Sequence, residues 1–146
     1  MKIFAIRNEY ENVEPAAFLI YYEISKKYYI EIVDNVNEWE VPFFISSFVK
    51  KGIYTINSRF SYNWVRQRIV PTDRQNIGQV LRDNNLKSYN EYELLLLGNG
   101  RCAQDDYCLE RISEHDLPNC ILKRLRKRAA FAAQREGGRY GRSENR

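Results

Sequence analysis

Residues 18–33, FLIYYEISKKYYIEIV, decide the fold of this chain, because they predict a β-hairpin. Apolar and aromatic residues alternate in both halves, and residues 25–27 (SKK) separate the halves as a turn. The positions predicted to share a face within each strand are Ile20, Tyr22 and Ile24, and then Tyr28, Ile30 and Ile32. Their β-branched and aromatic side chains suit a half-buried pleated surface. Residues 1–7 alternate in the same way and predict a strand before the hairpin.

Helical patterns follow the hairpin. In residues 41–52 (VPFFISSFVKKG), Phe44 and Phe48 are four positions apart, and Gly52 can take the left-handed conformation that ends a helix. The next helix is predicted to begin at Ser58, where Phe60 and Trp64 share its face. We expect Pro71 to end that helix.

Two capping boxes predict two more helices. Thr72 with Gln75 opens one of them, and Ser88 with Glu91 opens the other. The second ends in four consecutive leucines, residues 94–97, which predict deep burial. Gly98 and Gly100 then terminate it.

The remaining elements complete an α+β fold. Residues 108–112 predict a final strand, and Pro118 opens a last helix that continues into the C-terminus. We therefore expect a small antiparallel sheet, made of an N-terminal strand and the hairpin, packed with four to five helices. Residues 1–120 form the single predicted domain, and residues 121–146 form a basic helical or disordered tail.

Charge is divided unevenly between these two parts. Residues 121–146 hold nine Lys or Arg and two acids, a net charge of +7. Residues 1–120 hold 14 Lys or Arg and 17 acids, a net charge of −3. Such asymmetry indicates that the tail contacts something the body does not, commonly a phosphate surface or an acidic partner.

The tail has the pattern of an amphipathic helix. Its apolar stripe is predicted to consist of Ile121, Leu122, Leu125, Ala129 and Ala132. The candidate binding residues for a nucleic acid or an acidic partner are Lys123, Arg124, Arg126, Lys127, Arg128, Arg135 and Arg139. Three contacts fit this helix: nucleic-acid phosphates, an acidic protein groove, or a membrane surface. A solvated helix end that contacts nothing is the alternative.

A cluster of cysteines and histidine raises the question of zinc. Cys102, Cys108, His115 and Cys120 lie within 19 residues and are the ligand types of a Cys3His site. Their spacing lacks the short Cys-x2–4-Cys knuckle of structural zinc sites, so buried thiols with a surface histidine are the preferred interpretation. A Cys–His–Asp triad would depend on geometry that the spacing does not supply. We therefore predict neither a metal nor a cofactor.

Arginines beside Pro71 suggest a second way to bind DNA. Arg66, Arg68 and Arg74 flank Pro71, where two successive predicted helices meet, as in a helix-turn-helix. The second of these helices contains acidic residues, including Asp83, so its exposed face is not basic. A major-groove reader is therefore not the favoured interpretation.

The composition indicates where the protein works. No apolar run approaches the roughly 18 residues needed to cross a bilayer. Acidic residues follow the short apolar N-terminus at once, unlike a signal peptide. Three cysteines are an odd number, which disfavours a disulfide framework. We expect a cytoplasmic protein in a reducing environment.

Two stretches resemble a known family. Residues 42–52 (PFFISSFVKKG) resemble a Pro-Phe-Phe-x-x-Leu-Leu-Pro-Glu-Gly phrase, and residues 94–102 (LLLLGNGRC) resemble a Leu-Leu-x-x-x-Gly-Arg-Asp segment. With the element order, they make residues 18–112 similar to the N-terminal subdomain of HipA-type kinase toxins. The chain also resembles uncharacterised Firmicutes proteins with segments similar to residues 68–78 (RIVPTDRQNIG) and 100–106 (GRCAQDD).

The resemblance implies a binding role and no enzyme activity. Lys50 and Lys51 replace the Pro-Glu of the phrase, and the sequence shows no kinase Gly-rich loop, catalytic Asp loop or metal-binding Asp motif. A stand-alone subdomain of this kind would be an antitoxin-like regulator that binds a protein partner, plausibly a kinase-like toxin. The alternative is a nucleic-acid-associated accessory protein of a phage or plasmid, including inhibitors of nucleic-acid-processing machines, that binds through the tail.

Overall fold

The computed structural model describes the backbone of residues 1–69 and 76–144 and the side chains of residues 1–69 and 76–133. The predicted α+β fold with a small antiparallel sheet is confirmed. The strands are β1 (Lys2–Asn8), β2 (Ala17–Tyr22), β3 (Lys27–Ile32), β4 (Thr55–Ile56) and β5 (Tyr107–Ile112). The helices are α1 (Phe43–Lys50), α2 (Ser58–Arg66), α3 (Ile77–Asp83), α4 (Glu91–Leu97) and α5 (Asn119–Glu144).

The chain divides into two compact units, Met1–Ile112 and Ser113–Arg146. The first unit contains all five described strands and helices α1 to α4, whereas the second contains α5. The boundary predicted from the sequence, after residue 120, stays a prediction.

The predicted hairpin is confirmed and forms the centre of the sheet. The strand order is β4-β3-β2-β1-β5, and every neighbouring pair is antiparallel. Leu19 lies opposite Ile30 and Tyr21 opposite Tyr28. Ile24 was predicted to continue the first strand, but β2 ends at Tyr22 and Ile24 is fully exposed in the turn. Because Ile24 lies in the turn and not in the strand, it does not share a face of the sheet with Ile20 and Tyr22.

Both faces of the central strands are buried. Four consecutive residues of β1, from Ile3 to Ile6, are almost inaccessible, and so are the first five residues of β2. A strand covered on both faces shows a continuous apolar run, and alternation is then a weak signal. One face forms a core that includes Leu19, Ile30 and Trp64.

Ser61 connects α2 to two strands of the sheet. Its hydroxyl oxygen accepts a hydrogen bond from the backbone N–H of Ile30 at 3.0 Å, and the hydroxyl donates to the carbonyl of Ile56 at 3.0 Å. The side chain is fully buried. The hydroxyl therefore satisfies two main-chain groups that water cannot reach.

Replacing Ser61 by alanine is expected to lower the free energy of unfolding by about 1–3 kcal/mol, because both main-chain groups lose their partner. Urea denaturation measures this change. Ser47→Ala is the matched control, since the Ser47 hydroxyl donates to the Phe44 carbonyl on the surface of α1. Equal stability of the two variants would contradict this role of Ser61.

Two helix starts differ from the prediction. The side chain of Asn57 caps α2 by accepting from the N–H of Phe60 at 3.0 Å, where Ser58 was expected. Asn90 caps α4 by accepting from the N–H of Glu93 at 3.1 Å, where a Ser88–Glu91 box was expected. Asparagine is as good an N-cap as serine, so neighbouring candidates compete and the sequence alone does not choose between them. Pro71, Thr72 and Gln75 lie outside the described residues.

The four leucines of α4 are not all buried. Leu94 and Leu95 are buried, whereas Leu96 and Leu97 are 40% and 49% exposed. Four consecutive residues go around the whole helix, so only part of the run can face the core. The helix ends where predicted. Gly100 has φ +68°, and a Cβ there would lie 2.5 Å from Leu109 Cγ, so the position requires glycine.

Candidate functional site

Helix α5 begins at a well-defined point. The carbonyl of Pro118 accepts hydrogen bonds from the N–H groups of Ile121 and Leu122, each at 3.1 Å. Ile121 and Leu125 are four residues apart and both buried, so they fix the apolar face of the first turns. Ala129 and Ala132, predicted to extend this stripe, are exposed.

The predicted basic residues of α5 form one face. At roughly 100° per residue, Lys123, Arg124, Lys127 and Arg128 occupy an arc of about 140°. Lys123 and Lys127 are exposed, and Arg124 and Arg128 are half-buried. Arg126, on the other side of the helix, is also exposed. We call the four residues of the arc, together with Phe131, the basic face.

Phe131 interrupts the charge of this face with an aromatic ring. It follows Lys127 by four residues and Arg128 by three, so helical geometry puts it on the same side. Its exposure is 61%, far above that of the buried anchors Ile121 and Leu125. Phe131 is not among the residues predicted from the sequence, because it lies outside the predicted apolar stripe; only its spacing from Lys127 indicates this position.

The basic face destabilises the helix that carries it. Residues 119–135 contain no Asp or Glu, and two like-charge pairs are spaced i, i+4: Lys123 with Lys127, and Arg124 with Arg128. Each such pair costs roughly 0.2–0.5 kcal/mol. A bound polyanion would relieve this repulsion.

The other two predicted binding residues, Arg135 and Arg139, have side chains that lie outside the described residues. The side chains of the site that the structure describes therefore lie in residues 119–133, the N-terminal half of α5.

The cysteine and histidine residues do not form a metal site in the described part of the chain. Among residues 1–69 and 76–133, no three Cys, His, Asp or Glu side chains are grouped as ligands of an ion. Cys102, Cys108 and Cys120 are half-buried free thiols, and His115 is exposed. Burial, followed by the charge of Glu9, raises the pKa of the Cys108 thiol, which disfavours the thiolate that a metal requires.

Arg68 belongs to the core rather than to a DNA-binding surface. Its guanidinium donates to the carbonyls of Gly100 at 2.8 Å and Tyr107 at 3.3 Å, and it forms an ion pair with Asp105. The side chain is 1% exposed and lies 3.8 Å above the ring of Trp64. Arg68 therefore connects the end of α2 to residues 100–107.

Arg68, the middle one of the three arginines in the helix-turn-helix hypothesis, is therefore not available to bind DNA. A guanidinium with this burial and these partners cannot reach a phosphate or a base. Arg66 remains exposed, and Arg74 lies outside the described residues.

None of the described helices is long and apolar enough to cross a bilayer. Comparison with known proteins finds no matching family model, no matching curated protein and no matching solved structure.

Proposed function

We propose that this protein is a non-catalytic, cytoplasmic nucleic-acid-binding protein that contacts its ligand through the basic face of α5. The observation that carries the proposal is the exposed ring of Phe131 among Lys and Arg side chains. Cations bind phosphates, and an exposed aromatic ring stacks on unpaired bases. The proposal assigns no catalytic residue, metal ion or cofactor.

The exposure pattern favours nucleic acid over a membrane surface. A helix that lies on a bilayer inserts its apolar face among the lipids. In α5 the apolar residues Ile121 and Leu125 are already buried in the protein. Phe131 lies beside the cations, where a base can stack while the phosphates are neutralised.

Replacing Phe131 by alanine is expected to weaken binding to a single-stranded oligonucleotide by about tenfold, since stacking contributes roughly 1–3 kcal/mol per base. Binding to the matching duplex should change little, because its bases are already stacked. Fluorescence anisotropy with a labelled 20-nucleotide probe measures both affinities.

The control for this experiment is Phe43→Ala, which removes another highly exposed phenylalanine, at the start of α1. It should leave both affinities unchanged. An identical loss for single-stranded and duplex probes in the Phe131 variant would show that the ring does not stack on bases.

A second candidate function is regulation of a protein partner, as the HipA-like resemblance implies. It is supported by the order of elements in the unit Met1–Ile112, where the hairpin β2–β3 precedes α1 and the further helices. Pull-down of the tagged chain from its native host tests this candidate. Recovery of a kinase-like protein would support it, and recovery of no protein would count against it.

A further inference from the structure

A groove of about 440 Å³ lies within the unit Met1–Ile112, at the ends of β1 and β2. One of its walls is formed by the short 3-10 helix Glu38–Glu40, between β3 and α1. We call it the Trp39 groove. The lining residues that matter here are Glu11, Val13, Glu14, Trp39, Glu40 and Tyr107.

The groove exposes apolar surface. Trp39 is 85% exposed, whereas Trp64, the other tryptophan of the chain, is 1% exposed. Val13, across the same groove, is 55% exposed. Exposed apolar residues that share a concave surface and are rimmed by polar groups are typical of interaction sites.

The charge of the groove is negative. Glu11, Glu14 and Glu40 line it, and among residues 1–69 and 76–133 none of the three has an ion-pair partner. Arg7 also lines the groove, but it is paired with Glu110. The groove therefore combines an accessible indole with unneutralised carboxylates.

Two side-chain contacts stabilise the 3-10 helix that carries Trp39. The side-chain amide of Asn37 donates to Glu40 Oε1 at 3.1 Å, and Lys50 Nζ lies 3.8 Å from Glu38 Oε2. Contacts of this kind limit the freedom that a ligand must remove on binding.

We propose that the Trp39 groove docks a cationic segment of another protein, with an Arg or Lys side chain stacked on the indole of Trp39. Charge complementarity identifies the occupant: the indole face attracts a cation, and the carboxylates of Glu11, Glu14 and Glu40 neutralise it. The same carboxylates repel phosphates, so this surface is independent of the nucleic-acid role of α5.

Titration of the full chain with hexa-arginine tests the proposal, with the fluorescence of Trp39 as the signal. Trp64 is buried and gives a constant background. We expect a saturable change in emission that weakens with salt and disappears in the Trp39→Phe variant. Hexa-glutamate, the matched anionic probe, should give no such change.

Charge variants test the role of the carboxylates. Glu11→Gln with Glu14→Gln should weaken hexa-arginine binding by about tenfold, since each exposed charge contact contributes up to about 1 kcal/mol. The control pair is Glu93→Gln with Glu114→Gln, two exposed acids that do not line the groove. Equal affinity for the two pairs would overturn the proposal.

Two further outcomes separate the alternatives. If the free protein sediments as a dimer that Trp39→Phe dissociates, a second copy occupies the groove and the proposal is overturned. Oligonucleotide binding should be unchanged in the Trp39→Phe variant. Failure of the peptide titration would therefore not contradict the proposed function of α5. Failure of oligonucleotide binding would not contradict the proposal for the Trp39 groove.

Discussion

Replacing Arg68 by alanine is expected to lower the free energy of unfolding by about 2–4 kcal/mol, because the buried guanidinium satisfies two carbonyl groups, whereas Asp105 is 30% exposed and keeps access to water. Two carbonyl groups, of Gly100 and Tyr107, would lose their donor, and Asp105 would lose its counterion. The ring of Trp64 would also lose the group packed above it. Because a domain of this size is stable by only about 5–15 kcal/mol, this is a large fraction of the total.

Chemical denaturation measures the loss, followed by the fluorescence of Trp64. Arg66→Ala is the matched control, since Arg66 lies two residues away and is exposed. It should change the free energy of unfolding by less than about 0.5 kcal/mol. Equal effects of the two substitutions would contradict the structural role assigned to Arg68.

Neutralising the exposed cations of the basic face should have the largest effect on binding. The combined substitution Lys123→Gln and Lys127→Gln is expected to weaken oligonucleotide binding by about 30-fold at physiological salt, because each lost phosphate contact leaves a counterion on the DNA. The half-buried Arg124 and Arg128 are left intact, because both make contacts in the structure.

The control removes two exposed charges from the other unit: Lys27→Gln and Lys51→Gln. Both variants carry the same net charge, so a difference between them reports position rather than total charge. Affinities are compared by fluorescence anisotropy with the same duplex. If both variants lose affinity equally, attraction to the overall charge explains binding and the basic face has no special role.

The sequence predicts the parts of the fold that depend on neighbours along the chain. The hairpin β2–β3 is an example, because its two β-branched and aromatic stretches and its turn lie within 16 residues. Helix α1 is another, since it depends on the spacing of Phe44 and Phe48 and on Gly52. For Ile24, Ser58 and Ser88 the prediction failed by one or a few positions, where equivalent local signals compete.

Contacts between distant residues could not be predicted. Arg68 binds groups 32 to 39 residues away, and nothing near it in the sequence indicates burial. Its charge instead suggested a DNA contact. Trp39 is a second example, because nothing near it in the sequence indicates that its ring lies on the surface.

The candidate site was partly predictable. The cations of α5 are visible in the sequence, and helical spacing gathers four of them on one face. The sequence does not show that Ile121 and Leu125 are buried while Phe131 is exposed. Because of this difference in burial, the accessible side of α5 combines cations with an aromatic ring, and both groups bind nucleic acid.

The salt dependence of duplex binding tests the central claim most directly. The logarithm of the wild-type binding constant should fall linearly with the logarithm of the salt concentration, and the variant with Lys123→Gln and Lys127→Gln should show a slope smaller by about 1.8, or 0.9 for each lost contact. An unchanged slope in this variant, or no wild-type binding at low salt, would contradict the claim that α5 binds nucleic acid.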